Sequence, residues 1–169
     1  MKPKLLIFVT FASLILATLF WWFSSAQVLK RRTTELLECV EMEKGTGRIE
    51  RAYKAEKLRD LIDDTITISY PTMSDAFSHT YATNEPITLP EQRAKTALLY
   101  LTETADWISV NNQTIQVVNH NKTTAKVRAH FDLSTKLKNR SQSDVSLEAT
   151  LHFARVKNRW LLREASFTQ

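Results

Sequence analysis

Hydrophobic positions along the chain follow three successive patterns, and each predicts a different kind of element. The first is an unbroken apolar run from Leu5 to Phe23, LLIFVTFASLILATLFWWF, which contains no charge, proline or glycine. As a helix it would be roughly 28 Å long, close to the roughly 30 Å of hydrocarbon in a bilayer. The second pattern recurs at helical spacing. Leu36, Leu37, Val40 and Met42 predict a short amphipathic helix over Thr33 to Lys44, which Gly45-Thr46-Gly47 should end, with Thr46 capping its successor. Ile49, Ala52, Tyr53, Leu58, Leu61 and Ile62 are spaced as one face of that second helix. Thr65 to Tyr70 alternates as a strand and Pro71 closes it. Thr88-Leu89-Pro90-Glu91 has the form of a capping box and predicts a helix running to about Trp107, buried along Ala94, Ala97, Leu98, Leu101 and Ala105.

The third pattern begins near Asn112 and has period two. Ile115 and Val117 mark one strand. Ala125, Val127, Ala129, Phe131 and Leu133 line one face of a second, and Val145, Leu147, Ala149, Leu151 and Phe153 one face of a third. A polar loop is expected from Ser134 to Asp144, a turn at Lys157-Asn158, and a last strand with a bulge over Trp160 to Phe167. Antiparallel strands with one apolar face need a cover, and the upstream helices are available to supply it. The domain division this implies is residues 1–32 as an apolar segment with basic flanks and residues 33–169 as one α+β domain.

Charge changes the picture once. The net charge of +5 suggests nucleic acid, but residues 1–32 carry five basic side chains (Lys2, Lys4, Lys30, Arg31, Arg32) and no acid, leaving 18 basic and 18 acidic residues beyond them. A neutral domain argues against nucleic acid, whereas cations flanking an apolar span suit lipid headgroups. Residues 33–119 hold 8 basic and 14 acidic side chains and residues 120–169 hold 10 and 4, so the two halves either attract one another as they pack or present opposed faces to partners. The apolar run reads either as a retained anchor, with the N-terminus cytoplasmic and the domain periplasmic or otherwise extracytoplasmic, or as a secretory signal cut near Ala26. Its 19 residues and the Trp21-Trp22-Phe23 cluster favour the anchor. Cys39 is the sole cysteine, which rules out an internal disulfide.

The order of elements, ending in Asn158-Arg159-Trp160-Leu161-Leu162 with Phe167, resembles the nuclear transport factor 2-like superfamily over roughly residues 33–169. That resemblance implies a cystatin-like cone: a curved antiparallel sheet wrapped on helices, here preceded by one transmembrane helix. The superfamily includes ketosteroid isomerase, scytalone dehydratase and the SnoaL-like polyketide cyclases, alongside non-catalytic members such as membrane-tethered periplasmic subunits of secretion systems. Fold therefore leaves function open.

Its enzymes place a carboxylate or histidine base inside the cone with a tyrosine or protonated acid beside it. Tyr53, Tyr70, Phe131 and Trp160 are the candidate walls of a ligand pocket here, and Thr72 to Leu89, with His79, is a candidate lid. His130, Asp132, Glu148 and His152 alternate out of phase with the apolar positions and should face outward. They would form a metal cluster only if the register brought the two histidines together. None of the family's catalytic residues transfers onto a matching position, and no phosphate loop, nucleophile motif, metal set or cofactor motif is present. Asn112-Gln-Thr, Asn121-Lys-Thr and Asn139-Arg-Ser match glycosylation acceptors but read as turns. Whether the domain is an enzyme stays open, with the residues weighing against it. The expected function is a membrane-tethered, non-catalytic domain holding a protein partner or another copy of itself, in contact with the bilayer through residues 5–23. The alternative is small-ligand binding or lyase/isomerase chemistry in the cone.

Overall fold

The chain turns at Phe23-Ser24, between its apolar run and everything that follows. In the computed structural model, which describes residues 3–69, 86–138 and 140–168 (for 3–10, 12 and 17 the backbone alone), the run is helix α1, Pro3–Trp22. Among the described residues no helix is long and apolar enough to cross a membrane. Helix α2, Ser25–Val40, starts at once, with Ser24 as its N-cap accepting from the Gln27 amide.

This helix runs across the expected boundary at residue 33. Lys30, Arg31 and Arg32 sit inside α2, whose Leu29 and Thr33 are fully buried along with Leu36 and Cys39 at one-turn intervals. The apolar stripe begins at Leu29, about two turns before the leucine pattern at Leu36 makes it visible. The helix stops at Val40, with Glu41 as its C-cap and Met42 bridged to Ile108, earlier than the expected stop at Gly45, which at φ 86° makes the turn that follows. The cap of α3, Arg48–Arg59, is however Gly47, while the Thr46 hydroxyl donates back to the Glu43 carbonyl at 2.8 Å.

The sheet has six strands in the order β2-β1-β6-β5-β4-β3. They are β1 Ile62–Ser69, β2 Ile87–Pro90, β3 Ala105–His120, β4 Thr124–Leu137, β5 Gln142–Val156 and β6 Arg159–Thr168, with helix α4, Glu91–Thr104, between β2 and β3. The sheet is mixed, not antiparallel throughout: β1 runs parallel to β6, because the helices and β2 intervene between β1 and the later hairpins. The expected capping box at Thr88 does not form. Thr88 lies in β2 and its hydroxyl meets that of Thr67 across the β1–β2 pair at 3.1 Å, so the sheet edge takes the residue first. The expected loop from 134 to 144 is also shorter, since β4 continues to Leu137 and β5 starts at Gln142.

Alternation places Val127, Ala129, Phe131, Leu147, Ala149, Leu151 and Phe153 on the face covered by the helices. Leu29, Leu36, Ala94 and Leu98 meet them there in one core. Bulges bend the sheet at Asn112, which has φ 51°, near Val118, and on β6 opposite His152–Phe153, where one was expected. The last turn is a two-residue hairpin with Lys157 at φ 46° and Asn158 at φ 66°, the handedness that matches strand twist.

Candidate functional site

Three of the four expected pocket walls, Tyr53, Phe131 and Trp160, are among the described residues, and they stand apart. Tyr53 is 67% exposed, on the far side of α3 from buried Ala55, because the helix packs through Ala55 and not through the Ile49–Tyr53 face. Tyr70, His79 and the expected lid up to Glu85 lie outside the described residues; its last residues, Ile87 to Leu89, belong to β2. Phe131 and Trp160 are both buried, but Phe131 pairs with Leu147 and Trp160 with Arg155. Eight positions along β5 separate those registers, about 26 Å, so the two rings line no common cavity.

Among the described residues the buried polar side chains are Thr33, Thr46, Asp63 and Thr102. Three are hydroxyls bonded to carbonyls, as Thr33 is to Leu29 and Thr102 to Leu99. Asp63 accepts two bonds from Arg163, at 2.7 and 2.9 Å, tying β1 to β6. Cys39 lies in the core and burial pushes its thiol up to about 11, so it is protonated and inert at neutral pH.

His130, Asp132, Glu148 and His152 face outward, as their alternation predicts. His130 pairs with Glu148 across β4–β5, whereas His152 pairs with Lys126 and Glu164. The histidines are four positions apart along β5, about 13 Å, and do not assemble a metal site. Asp132 is instead the centre of a hydrogen-bonded cluster. Asn112, turned by the β3 bulge, donates to it at 2.6 Å and Ser146 at 2.7 Å, and these bonds hold its carboxyl below the usual carboxylate range. The cluster edges an open groove of about 610 Å³ bounded also by Asn111 and Asp144. A second groove, of about 300 Å³, lies beside Lys126, His152, Arg163 and Glu164.

Charge at the surface is more strongly organised. Of the nine ion pairs among the described residues, Arg159–Asp60 and Arg163–Asp63 alone join the acidic and basic halves. Six others close within a half, such as Lys57–Glu38, Arg59–Glu91, Lys95–Glu56 and Arg128–Glu148, and Arg32–Glu35 joins the basic flank to the acidic half. One end of the sheet is markedly basic. There the β3–β4 turn carries Lys122, the β5–β6 turn carries Arg155, Lys157 and Arg159, and Lys126 stands just behind. The two turns touch, the Arg155 amide donating to the Thr123 carbonyl at 2.7 Å. Sequence reading located both turns, but only the β4–β5 register, Thr124 against Ala154, makes them neighbours.

No protein-family model matches the chain and no characterised protein sequence does either. Solved structures do. A putative aromatic ring hydroxylase from Novosphingobium aromaticivorans superposes with a TM-score of 0.63 at 8% identity, covering 83% of this chain and 85% of that one. A ketosteroid isomerase-like protein from Erwinia carotovora atroseptica gives 0.60 at 11% identity, over 86% and 95%. A putative scytalone dehydratase from Novosphingobium aromaticivorans gives 0.58 at 17%, over 83% and 80%. The domain therefore has the nuclear transport factor 2-like fold, an α+β cone of curved mixed sheet over helices. At these identities the likeness concerns fold alone.

Proposed function

We propose that the chain is a membrane-tethered cone that works by holding a protein partner, or a second copy of itself, on the far side of the membrane. The observation that carries this reading is the persistence of charge segregation in the folded molecule. Had the two halves been opposed merely to attract each other, their ion pairs would cross between them; seven of nine do not. An acidic helical face and a basic strand face are thus left for other molecules. The tether is supported by α1, whose described side chains from Phe11 to Phe23 are all exposed, among them Phe20 at 83% and Leu14 at 68%. An apolar helix with no protein around it needs an apolar solvent.

Crosslinking of the intact chain in its own membrane tests the reading, with a defined higher-mass species or a stoichiometric copurifying protein as the expected result. Recovery of monomer alone, with nothing copurifying, refutes it.

The alternative, a small ligand or lyase/isomerase chemistry in the cone, draws on the fold shared with a putative scytalone dehydratase and a ketosteroid isomerase-like protein. It would use Phe131 as a wall, and Phe131→Ala would then abolish thermal stabilisation by that ligand.

A further inference from the structure

The basic end of the sheet and the end of the domain that leaves the membrane are the same end. Two independent ties show this. Val40 and Met42, closing α2, pack with Leu133 and Leu137 at the end of β4, and Met42 exchanges backbone bonds with Ile108 in an antiparallel bridge. The chain therefore enters that bridge running against β3, and the start of α2 points back toward the β3–β4 turn. Helix α3 supplies the second tie. Its Lys57 pairs with Glu38 and its Lys54 bonds the Glu41 carbonyl, so it runs antiparallel to α2 and its last residues head toward the N-terminal half of α2. There Asp60 meets Arg159, its carbonyl accepting at 3.0 Å, and the Leu61 carbonyl accepts from the Leu162 amide at 2.8 Å. Both turns of the basic end thus lie at the end of the sheet toward which the N-terminal half of α2 points back.

The junction with α1 leaves little slack. Leu29, fully buried, follows Phe23 by six residues, about 9 Å of helix. Arg31 reaches back over the Trp22 ring at 4.8 Å from its centroid and donates to the Trp22 carbonyl. A domain whose core begins one and a half turns past the apolar run cannot swing freely above a membrane.

We propose that this end of the domain, through Lys122, Lys126, Lys157 and Arg159, docks on the anionic phospholipid headgroups of the membrane that holds α1. The proposal rests on the tether reading and adds a lipid-facing surface to it. Lys122, Lys126 and Lys157 make no ion pair among the described residues. Arg155 is held over Trp160, its guanidinium carbon 5.8 Å from the ring centroid, and Arg159 by Asp60. The acids nearby are Asp60, Asp63, already taken by Arg163, the exposed Asp64 beside it, and Glu164, set back along β6, so the cations at this end outnumber the acids without being alone there. Together with Lys30, Arg31 and Arg32 at the start of α2, the turns form a cationic collar around the exit of α1, each member worth a small attraction to an anionic leaflet.

The full chain reconstituted in vesicles tests this. Thr123→Cys at the basic end and Ser141→Cys at the opposite end each accept a fluorophore, since buried Cys39 does not react in the folded protein. Lipid carrying a headgroup quencher reports the distance. In phosphatidylcholine with phosphatidylglycerol, the Thr123 probe should be quenched and the Ser141 probe not. High salt or pure phosphatidylcholine should relieve the quenching. Lys122→Glu with Lys157→Asn, both at exposed turn positions, should lower the docked fraction relative to the undocked by about fivefold or more per cation removed.

Equal quenching at the two positions, or none at either, overturns the docking. Extraction in alkaline carbonate separates the two layers of the argument. A chain that resists extraction but shows no preference at Thr123 is tethered and undocked. A chain that washes off is untethered, and quenching at Thr123 by added anionic vesicles still decides the docking.

Discussion

Asp132 shows how much of this surface is set by single side chains. Its low carboxyl pKa comes first from the Asn112 amide and then from Ser146. Asn112→Gly, which keeps the positive φ that the bulge requires, should therefore raise it toward the ordinary aspartate value, seen as a shift in its titration by carboxyl-carbon NMR. The sign follows from linkage. A carboxyl depressed in the folded state adds stability that is present above its unfolded pKa and is lost as pH falls through the folded one. The wild-type protein should accordingly lose that contribution below about pH 4, and the Asn112→Gly variant should have less to lose.

Cys39 is the opposite case, raised chiefly by burial. Its neutral thiol favours the fold fully below the unfolded pKa and ceases to do so as pH climbs from about 9 toward about 11. Maleimide should leave it unmodified at neutral pH until denaturant opens the domain; rapid labelling of the native protein would contradict its placement in the core.

Among the elements, α2 departs most from its sequence pattern. Leu29 sits among Lys30, Arg31 and Arg32, and three adjacent cations disguise a core residue as part of a membrane flank. Leu29→Ala should cost about 2–5 kcal/mol in chemical denaturation, the range for a fully buried leucine. If residues 25–32 were only a flank, the midpoint would not move. The β5–β6 turn makes a smaller and more local prediction. Asn158 has φ 66°, a region asparagine and glycine tolerate and alanine does not. Asn158→Ala should destabilise by about 1 kcal/mol while Asn158→Gly stays near wild type; both lose the bond that the Asn158 side-chain oxygen accepts from the Arg155 guanidinium at 2.6 Å, so the difference between their denaturant midpoints isolates backbone strain.

The strands were the easiest elements to read, because their alternation is local. Val127, Ala129 and Phe131 face inward as their spacing says, and so do Leu147, Ala149, Leu151 and Phe153. Thr88 was misleading for the reverse reason: its capping-box pattern is genuine, but a β1–β2 pairing formed with distant residues claimed it.

For the whole molecule, β1 against β6 is the decisive contact, since it closes the sheet with the chain's first strand beside its last. Arg163 holds Asp63 there from an exposed position while the aspartate is nearly buried. Arg163→Ala should leave that carboxylate unpaired and cost about 1–3 kcal/mol, lowering the thermal midpoint, whereas removing both partners by Asp63→Asn with Arg163→Ala should recover part of the loss. A full additive loss in the double variant would show that the pair contributes nothing as a pair.

Local order was written in the chain from the start: an apolar run of bilayer length, helices before strands, an inward and an outward face on β4 and β5, a bulge in the last strand, and a surplus of cations ahead of a neutral domain. These follow from spacing and composition, which act between near neighbours. Register and adjacency were decided only by the fold. They put Phe131 and Trp160 out of reach of each other, turned Tyr53 to solvent, kept His130 and His152 apart, and brought Lys122 beside Lys157 at one end of the sheet. Contacts between residues tens of positions apart depend on how helices and strands pack. No periodicity along the chain encodes which turn will stand next to which.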